Sequence, residues 1–266
     1  MTTFLIHDHR MLVNAENLEA WEHDGFARLG GKLDASALTD LRNFVDDIAG
    51  GDYRFGGDSP VLVHHEQTPH GVAITRAENL VPNHNGFRVL ASSGPLIDAV
   101  GRLFGEQALL YKEKVNFKQP GGAGFAPHQD ATAYKFADDH ITVMLAIDEA
   151  TTDNGCLEMA AGQHHNLLPT DGDGCIEPAI AASLLWEPVE LESGELLAFS
   201  SRTPHRSAPN TSPRQRRALF LTFNRRSAGD HRTAYYADKI RHLAEHEGDG
   251  IQRVSTIGHF QGAAPT

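Results

Sequence analysis

"RQRRALFLTFN", Arg214 to Asn224, alternates in a way that only one kind of secondary structure explains. On an extended strand successive side chains point to opposite faces. Leu219, Leu221 and Phe223 then share one wholly apolar face, while Arg216, Ala218, Phe220, Thr222 and Asn224 share the other. The second face is too polar to be the main hydrophobic core, so the strand belongs in a sheet that lines something on that side. The same rhythm recurs in "LLYKEKVNFK" (109–118), "HITVMLAIDEA" (140–150) and "VELESGELLAFSS" (189–201), with Gly, Pro, Asn and Asp between the runs. Short alternating strands at this spacing predict an antiparallel sandwich or barrel.

Before about residue 108 the pattern is helical. "DASALTDLRNFVDDIAGG" (34–51) offers Asp34 or Ser36 as a cap, apolar residues at Leu38, Leu41, Phe44, Val45 and Ile48, and a Gly-Gly stop. "GPLIDAVGRLFG" (94–105) places Leu96, Ile97, Val100, Leu103 and Phe104 on one face. The expectation is one domain over 1–266, mainly β with flanking helices: a helical N-terminal part to about 107 and a β core over about 108–228.

Composition narrows the function classes. A net charge of −12 with scattered Lys and Arg leaves no basic stripe, which argues against a nucleic-acid partner. The N-terminal "MTTFLIHDHRML" lacks a basic segment followed by a long apolar run, and runs such as "VMLAI" are too short to cross a bilayer. A soluble, cytoplasmic protein with a small-molecule substrate and no membrane partner is expected. Cys156 and Cys175 have no CxxC spacing, so two buried, reduced thiols are expected rather than a disulfide or thiolate metal site.

"APHQDATAY" (126–134) holds the chemistry. On a strand, His128 and Asp130 point the same way and Gln129 the other, so an imidazole nitrogen and a carboxylate oxygen reach one cation. The best third ligand is His205 in "SSRTPHRSAPN", giving a two-histidine, one-carboxylate face with positions left open. Alone, H-x-D is equally compatible with a turn or a surface pair. Arg216 starts a strand among small and polar residues, where a guanidinium suits bidentate binding of a carboxylate; a solvated basic rim of Arg214, Arg216 and Arg217 is the competing reading.

Taken together, "HQD" at 128–130, His205, and an arginine eleven positions later at 216 resemble the iron(II)- and 2-oxoglutarate-dependent dioxygenases of the phytanoyl-CoA hydroxylase family. "DGFARLGGKLDASALTDLR" (24–42), "NGCLEMAAGQHH" (154–165) and "SGELLAFSSRTPHRSAPN" (193–210) are similar to further segments of that family, in the same order. The resemblance implies a double-stranded β-helix, the cupin-like jelly roll, with helices packed outside. It implies His128, Asp130 and His205 as iron ligands, Arg216 on the distal carboxylate of 2-oxoglutarate, Ser207 assisting it, and Asn116 near the cosubstrate. Dioxygen is then the oxidant. Because Asp130 stands where halogenating relatives carry a small residue, the implied outcome is hydroxylation of a C–H bond.

The strand before the metal motif bears on the substrate. In "YKEKVNFK" (111–118), Lys112, Lys114, Asn116 and Lys118 share one face, and Tyr111, Glu113, Val115 and Phe117 the other. Three lysines facing a barrel interior call for an anionic ligand, whereas on an edge strand they would merely be solvated. "VNFKQPGGAGFAPHQD" (115–130) is similar to the branch that hydroxylates small phosphonates such as 2-aminoethylphosphonate at the carbon beside phosphorus. That implies Lys112 and Lys114 on the phosphonate, with Gln129 and Tyr134 as further substrate contacts. A free amino acid or secondary metabolite, a non-catalytic metal-binding jelly roll, and a cupin-like isomerase using zinc or manganese are the alternatives.

Overall fold

The "RQRRALFLTFN" stretch lies in a strand from Arg216 to Arg225 at the middle of the larger of two antiparallel sheets. The computed structural model describes residues 12–51, 59–92, 94–245 and 261–262, so all of "MTTFLIHDHRML" except Leu12 falls outside it.

In chain order the elements are α1 (Ala15–Asp24), β1 (Phe26–Arg28), α2 (Ala35–Ala49), β2 (Leu62–Thr68), β3 (Gly71–Glu78), α3 (Asn85–Ser92) and α4 (Pro95–Phe104). There follow β4 (Ala108–Lys118), β5 (Phe125–His128), β6 (His140–Ala146), β7 (Leu157–Met159), α5 (Pro178–Ser183), β8 (Glu187–Val189), β9 (Leu196–Ser200), β10 (His205–Ser207), β11 (Arg216–Arg225) and α6 (Arg232–Glu245). The larger sheet has the order β1-β9-β6-β11-β4-β3-β2 and the smaller one β5-β10-β7-β8. Strands adjacent in space but remote in sequence, such as β11 between β4 and β6, are the crossovers of the jelly roll the sequence predicts.

The two faces of β11 do what the alternation requires. Leu219, Leu221 and Phe223 are fully buried in the main cluster, packed with Val115 and Phe117 of β4, Val143 and Leu145 of β6, and residues of α2, α3 and α4. Burying each such side chain contributes roughly 1.5–3 kcal/mol, so this helix-covered face anchors the sheet. Ala218 and Phe220, on the other face, join a smaller cluster with Met144, Leu157, Met159 and Phe199 between the sheets. Most of the polar inward positions remain for the site.

Asp34 is the cap of α2: its side chain accepts from the Ala37 amide at 2.8 Å, while Leu38, Leu41, Val45 and Ile48 are buried. In α4, Pro95 sits in the first turn and Gly105 ends the helix in the left-handed conformation. Three features depart from the sequence reading. The β2–β3 hairpin extends the large sheet beyond β4, which makes β4 an interior strand and removes the solvated-edge reading of its lysines. The register slips between Thr222 and Phe223, so that Tyr111 is the extra residue opposite that step. This bulge turns Tyr111 away from Val115 and Phe117 and into a cluster with Tyr134, Tyr235 and Tyr236. Finally, of the two free cysteines only Cys156 is buried; Cys175 is half-buried beside the "PTDGDGC" loop.

Candidate active site

His128 closes β5 and His205 opens β10, and the two are register partners with ring centroids 4.2 Å apart. The chain leaves β5 through an extended Gln129 and then enters a 3-10 turn, Asp130–Ala133. Asp130 is therefore carried by a turn rather than a strand, yet the extended Gln129 still returns it to the side of His128. One ligand atom from each of His128, Asp130 and His205 lies within 4.8 Å of the others, with His128 Nε2 and Asp130 Oδ1 3.8 Å apart. All three side chains are buried.

These donors fit one cation. His128 Nδ1 bonds to the Ala126 carbonyl at 2.7 Å and His205 Nδ1 to that of Thr203 at 3.0 Å. A carbonyl only accepts, so both Nδ1 atoms carry the proton and both Nε2 atoms present a lone pair. Burial lowers His128 to about 3 and also lowers His205, which keeps both rings neutral. Burial alone would raise the Asp130 carboxyl, but His205, Lys114 and Lys112 outweigh it and hold it well below its ordinary value. Two neutral imidazoles and one carboxylate form the ligand set that suits iron(II) with open positions.

Beside the triad a narrow cavity is lined by Asn116, Lys118, Ser207, Arg216 and Phe220 among others. Arg216 is buried; its Nη2 donates to the Gly155 carbonyl at 3.0 Å, while Nε and Nη1 have no partner. Lys118 Nζ donates to Ser207 Oγ at 2.8 Å, to the Ala208 carbonyl at 2.5 Å and to the Gly155 carbonyl at 3.3 Å. An ammonium can only donate, so the Ser207 oxygen accepts there and its own proton is left to point elsewhere. Asn116 Oδ1 accepts from Arg76 Nε at 3.0 Å.

Lys112 and Lys114 face the same interior. Lys112 is buried, with Nζ 4.4 Å from the Tyr134 ring centroid and 5.5 Å from that of Tyr235. Lys114 lies deep in the protein but keeps some accessible surface, so it faces a cavity, and its Nζ is 5.1 Å from the Phe220 ring centroid. Burial lowers both ammonium pKa values, that of Lys114 strongly, with Arg76 and Lys112 adding to the effect. Tyr134 is buried near Asp130, which raises its hydroxyl pKa further than burial alone.

Gln129 is a correction. Its amide donates to the carbonyls of Asn166 and Arg202, at 2.9 and 2.5 Å, and its oxygen accepts from the Leu168 amide at 2.7 Å. Fully buried, with both amide protons given to backbone carbonyls, it ties loops together on the side away from His128 and Asp130. The sequence reading missed Arg76 and Glu78 on β3, register partners of Asn116 and Lys114, and His140, whose ring contacts Tyr111 and Tyr134 with both nitrogens unpartnered. The alternation of "GVAITRAE" (71–78) would have paired β3 with β4, but no turn motif marks their order. A wider depression of about 670 Å³ between α4 and the start of β4 shares no residue with this constellation.

A jelly roll that sets two histidines and a carboxylate on one buried face, next to a guanidinium with two unpartnered nitrogens, defines the class of iron(II)- and 2-oxoglutarate-dependent dioxygenases. The model of the phytanoyl-CoA dioxygenase family matches residues 21–218, and the chain belongs to that family. It is 43% identical over 249 residues to a methylphosphonate hydroxylase from Gimesia maris, spanning 92% of this chain and 94% of that one. It is 38% identical over 230 residues to a 2-aminoethylphosphonate dioxygenase from an uncultured bacterium, spanning 84% and 86%. In fold it is similar to EctD from S. alaskensis, solved with 2-oxoglutarate and 5-hydroxyectoine, at TM-score 0.70 and 19% identity over 84% of this chain and 79% of that one. The protein is a dioxygenase that uses iron(II), 2-oxoglutarate and dioxygen. Among the described residues no helix is long and apolar enough to cross a membrane.

Proposed function

We propose that this dioxygenase hydroxylates a small phosphonate, 2-aminoethylphosphonate or methylphosphonate, at the carbon next to phosphorus. The observation that carries the reading is the pair Lys112 and Lys114. Lys112 is buried and Lys114 half-buried beside the triad, and neither makes an ion pair with a described residue. Buried ammonium groups are costly without an anion, so the pocket is built to be completed by one. The resident Asp130 is committed to the metal. The names of the two relatives at 43% and 38% identity support the phosphonate among small anions.

His128, Asp130 and His205 would hold iron(II), which with 2-oxoglutarate supplies dioxygen activation: one oxygen atom goes to succinate, the other to the product, and CO2 leaves. Arg216 binds the far carboxylate of 2-oxoglutarate through its two open N–H groups, and Ser207 donates its proton to the same group. Asn116, braced by Arg76, forms the wall between cosubstrate and substrate. Lys112 and Lys114 take the phosphonate oxygens, and Tyr134 closes the pocket over Lys112.

The test is succinate formation across methylphosphonate, 2-aminoethylphosphonate, matched carboxylates, amino acids and acyl-CoAs. Turnover above background for a phosphonate but not for its carboxylate analogue is expected. Equal background rates for every phosphonate would rule the reading out.

A further inference from the structure

Glu78 on β3 and Lys114 on β4 are register partners, so their side chains leave the same face of the sheet a few ångströms apart. They do not pair. Lys114 has no ion-pair partner among the described residues, and Glu78 Oε2 is buried without a hydrogen bond. Opposite charges in facing, desolvated positions normally close on one another, because each is costly alone. Something holds the carboxylate back.

The holder comes from outside the jelly roll. Lys239, on α6, is 1% exposed and places Nζ 2.5 Å from Glu78 Oε1. Arg76 Nη1 approaches the same oxygen only to 3.4 Å and is shared, since its Nε serves Asn116. His64 Nε2 stands at 3.8 Å, and burial leaves that ring neutral, with its pKa lowered to about 3. Lys239 is thus the short contact; burial lowers its pKa to about 8 against the pull of Glu78, which leaves it mostly charged at neutral pH.

We propose that Lys239 is a positioning residue for substrate affinity: by engaging Glu78 it withholds that carboxylate from Lys114, and leaves the Lys114 ammonium for the substrate's anionic group. The proposal rests on reading Lys114 as a substrate contact. It gives α6 a part in specificity, since the strength of the Lys239–Glu78 pair sets how much competition the substrate meets.

Lys239→Met keeps the unbranched chain to within one atom of its length and removes its charge. In this variant Glu78 turns to Lys114, and the KM for the phosphonate rises about tenfold, the effect of a competing ion pair worth one decade of affinity. The kcat at saturation, the KM for 2-oxoglutarate and the visible absorbance of the iron and 2-oxoglutarate complex stay as in the parent. Glu78→Gln/Lys239→Met restores the phosphonate KM, because an amide cannot neutralise Lys114. An unchanged KM in folded Lys239→Met, or a KM still raised tenfold in the double variant, overturns the proposal. Should Lys239→Met fail to fold, the uncharged double variant decides alone, with a parent-like KM expected and a tenfold rise fatal. Lys114→Met separates the two layers. If it leaves the phosphonate KM unchanged, the substrate reading itself fails; if it raises KM while Lys239→Met does not, only the role of Lys239 is lost.

Discussion

Arg216 and Lys118 stand directly opposite each other on β11 and β4, two buried cations that share one acceptor, the Gly155 carbonyl. Burial, and then the Arg216 guanidinium, lower the Lys118 pKa well below its ordinary value, a strain that an anion nearby would relieve. Lys118 spends its donors on Gly155, Ser207 and Ala208, so the anion must be met by the two open N–H groups of Arg216. Burial lowers Arg216 to about 10, which still leaves it charged at neutral pH. Either Nε–H or an Nη1–H can make a parallel pair with the second N–H of Nη2, the two-donor fork that matches a carboxylate.

Arg216→Met should therefore weaken the cosubstrate selectively. Losing charge-assisted hydrogen bonds costs about 1.5–3 kcal/mol, or roughly 10- to 150-fold in affinity. The KM for 2-oxoglutarate is expected to rise by that factor, with a much smaller change in the KM for the phosphonate. Equal increases in both would show that Arg216 supports the cavity as a whole and not the cosubstrate.

Gly155 is the second point of control. Its φ is +73°, and a Cβ there would lie 2.2 Å from the Ala208 carbonyl oxygen and 2.8 Å from Lys118 Nζ. Alanine must both enter the left-handed region, at roughly 1–2 kcal/mol, and push back a backbone atom. Gly155→Ala is expected to lose at least about 2 kcal/mol and to lower Tm by roughly 5 °C or more. It should also raise the KM for 2-oxoglutarate, because the carbonyl that aligns Arg216 moves. A thermal melt and a 2-oxoglutarate titration of the same preparation check both parts.

At the metal, anaerobic addition of iron(II) and 2-oxoglutarate should give a visible charge-transfer absorbance. His128→Ala and His205→Ala should each abolish it, since the facing rings supply two of the three donors. Persistence of the band in both variants would refute the ligand assignment. Gln129→Ala should keep the band at full intensity and lose stability instead, because the Gln129 side chain is bound to three backbone groups on the far side.

Much of this was legible in the sequence because it depends on alternation, which is local. The faces of β11 and β4, the H-x-D pair and the Asp34 cap follow from periods of two and 3.6 residues. What was not legible depends on registers between distant strands. Nothing near Tyr111 announces the bulge that turns it inward, since the cause lies in how β4 pairs with Thr222 and Phe223. Lys239 is equally silent: "RTAYYADKIRHLAE" (232–245) buries Tyr235, Tyr236 and Lys239 while the apolar Ile240 and Leu243 are only half-buried, so the partner of Lys239, Glu78, 161 positions away, is visible only in three dimensions.

If Lys112 and Lys114 meet the substrate as proposed, the sign of the pH dependence is fixed. Burial lowers the Lys114 pKa well below 10.5 in the substrate-free protein, and Lys112 is lowered too. Only the ammonium forms attract a phosphonate, and a bound anion raises their pKa again. Below the lowered value both lysines are already charged, so binding takes up no proton and the KM is level. Above it, binding must recruit a proton, and the KM should climb about tenfold per pH unit for each lysine that has lost its charge. The same shift acts on stability. Between the lowered value and 10.5 the unfolded chain holds the proton that the folded chain has released, so these lysines make the substrate-free protein more stable as pH rises. Added phosphonate, which favours the charged form, should blunt that rise. Lys114→Arg tests the assignment: a guanidinium keeps its charge throughout the window, so the part of the alkaline climb due to residue 114 should disappear. A KM for phosphonate that stays level in the parent from neutral pH to 10.5, or a climb that Lys114→Arg leaves intact in a Glu78→Gln background, where loss of the Lys239 proton near 8 frees no carboxylate, would show that Lys114 does not carry the charge the substrate meets.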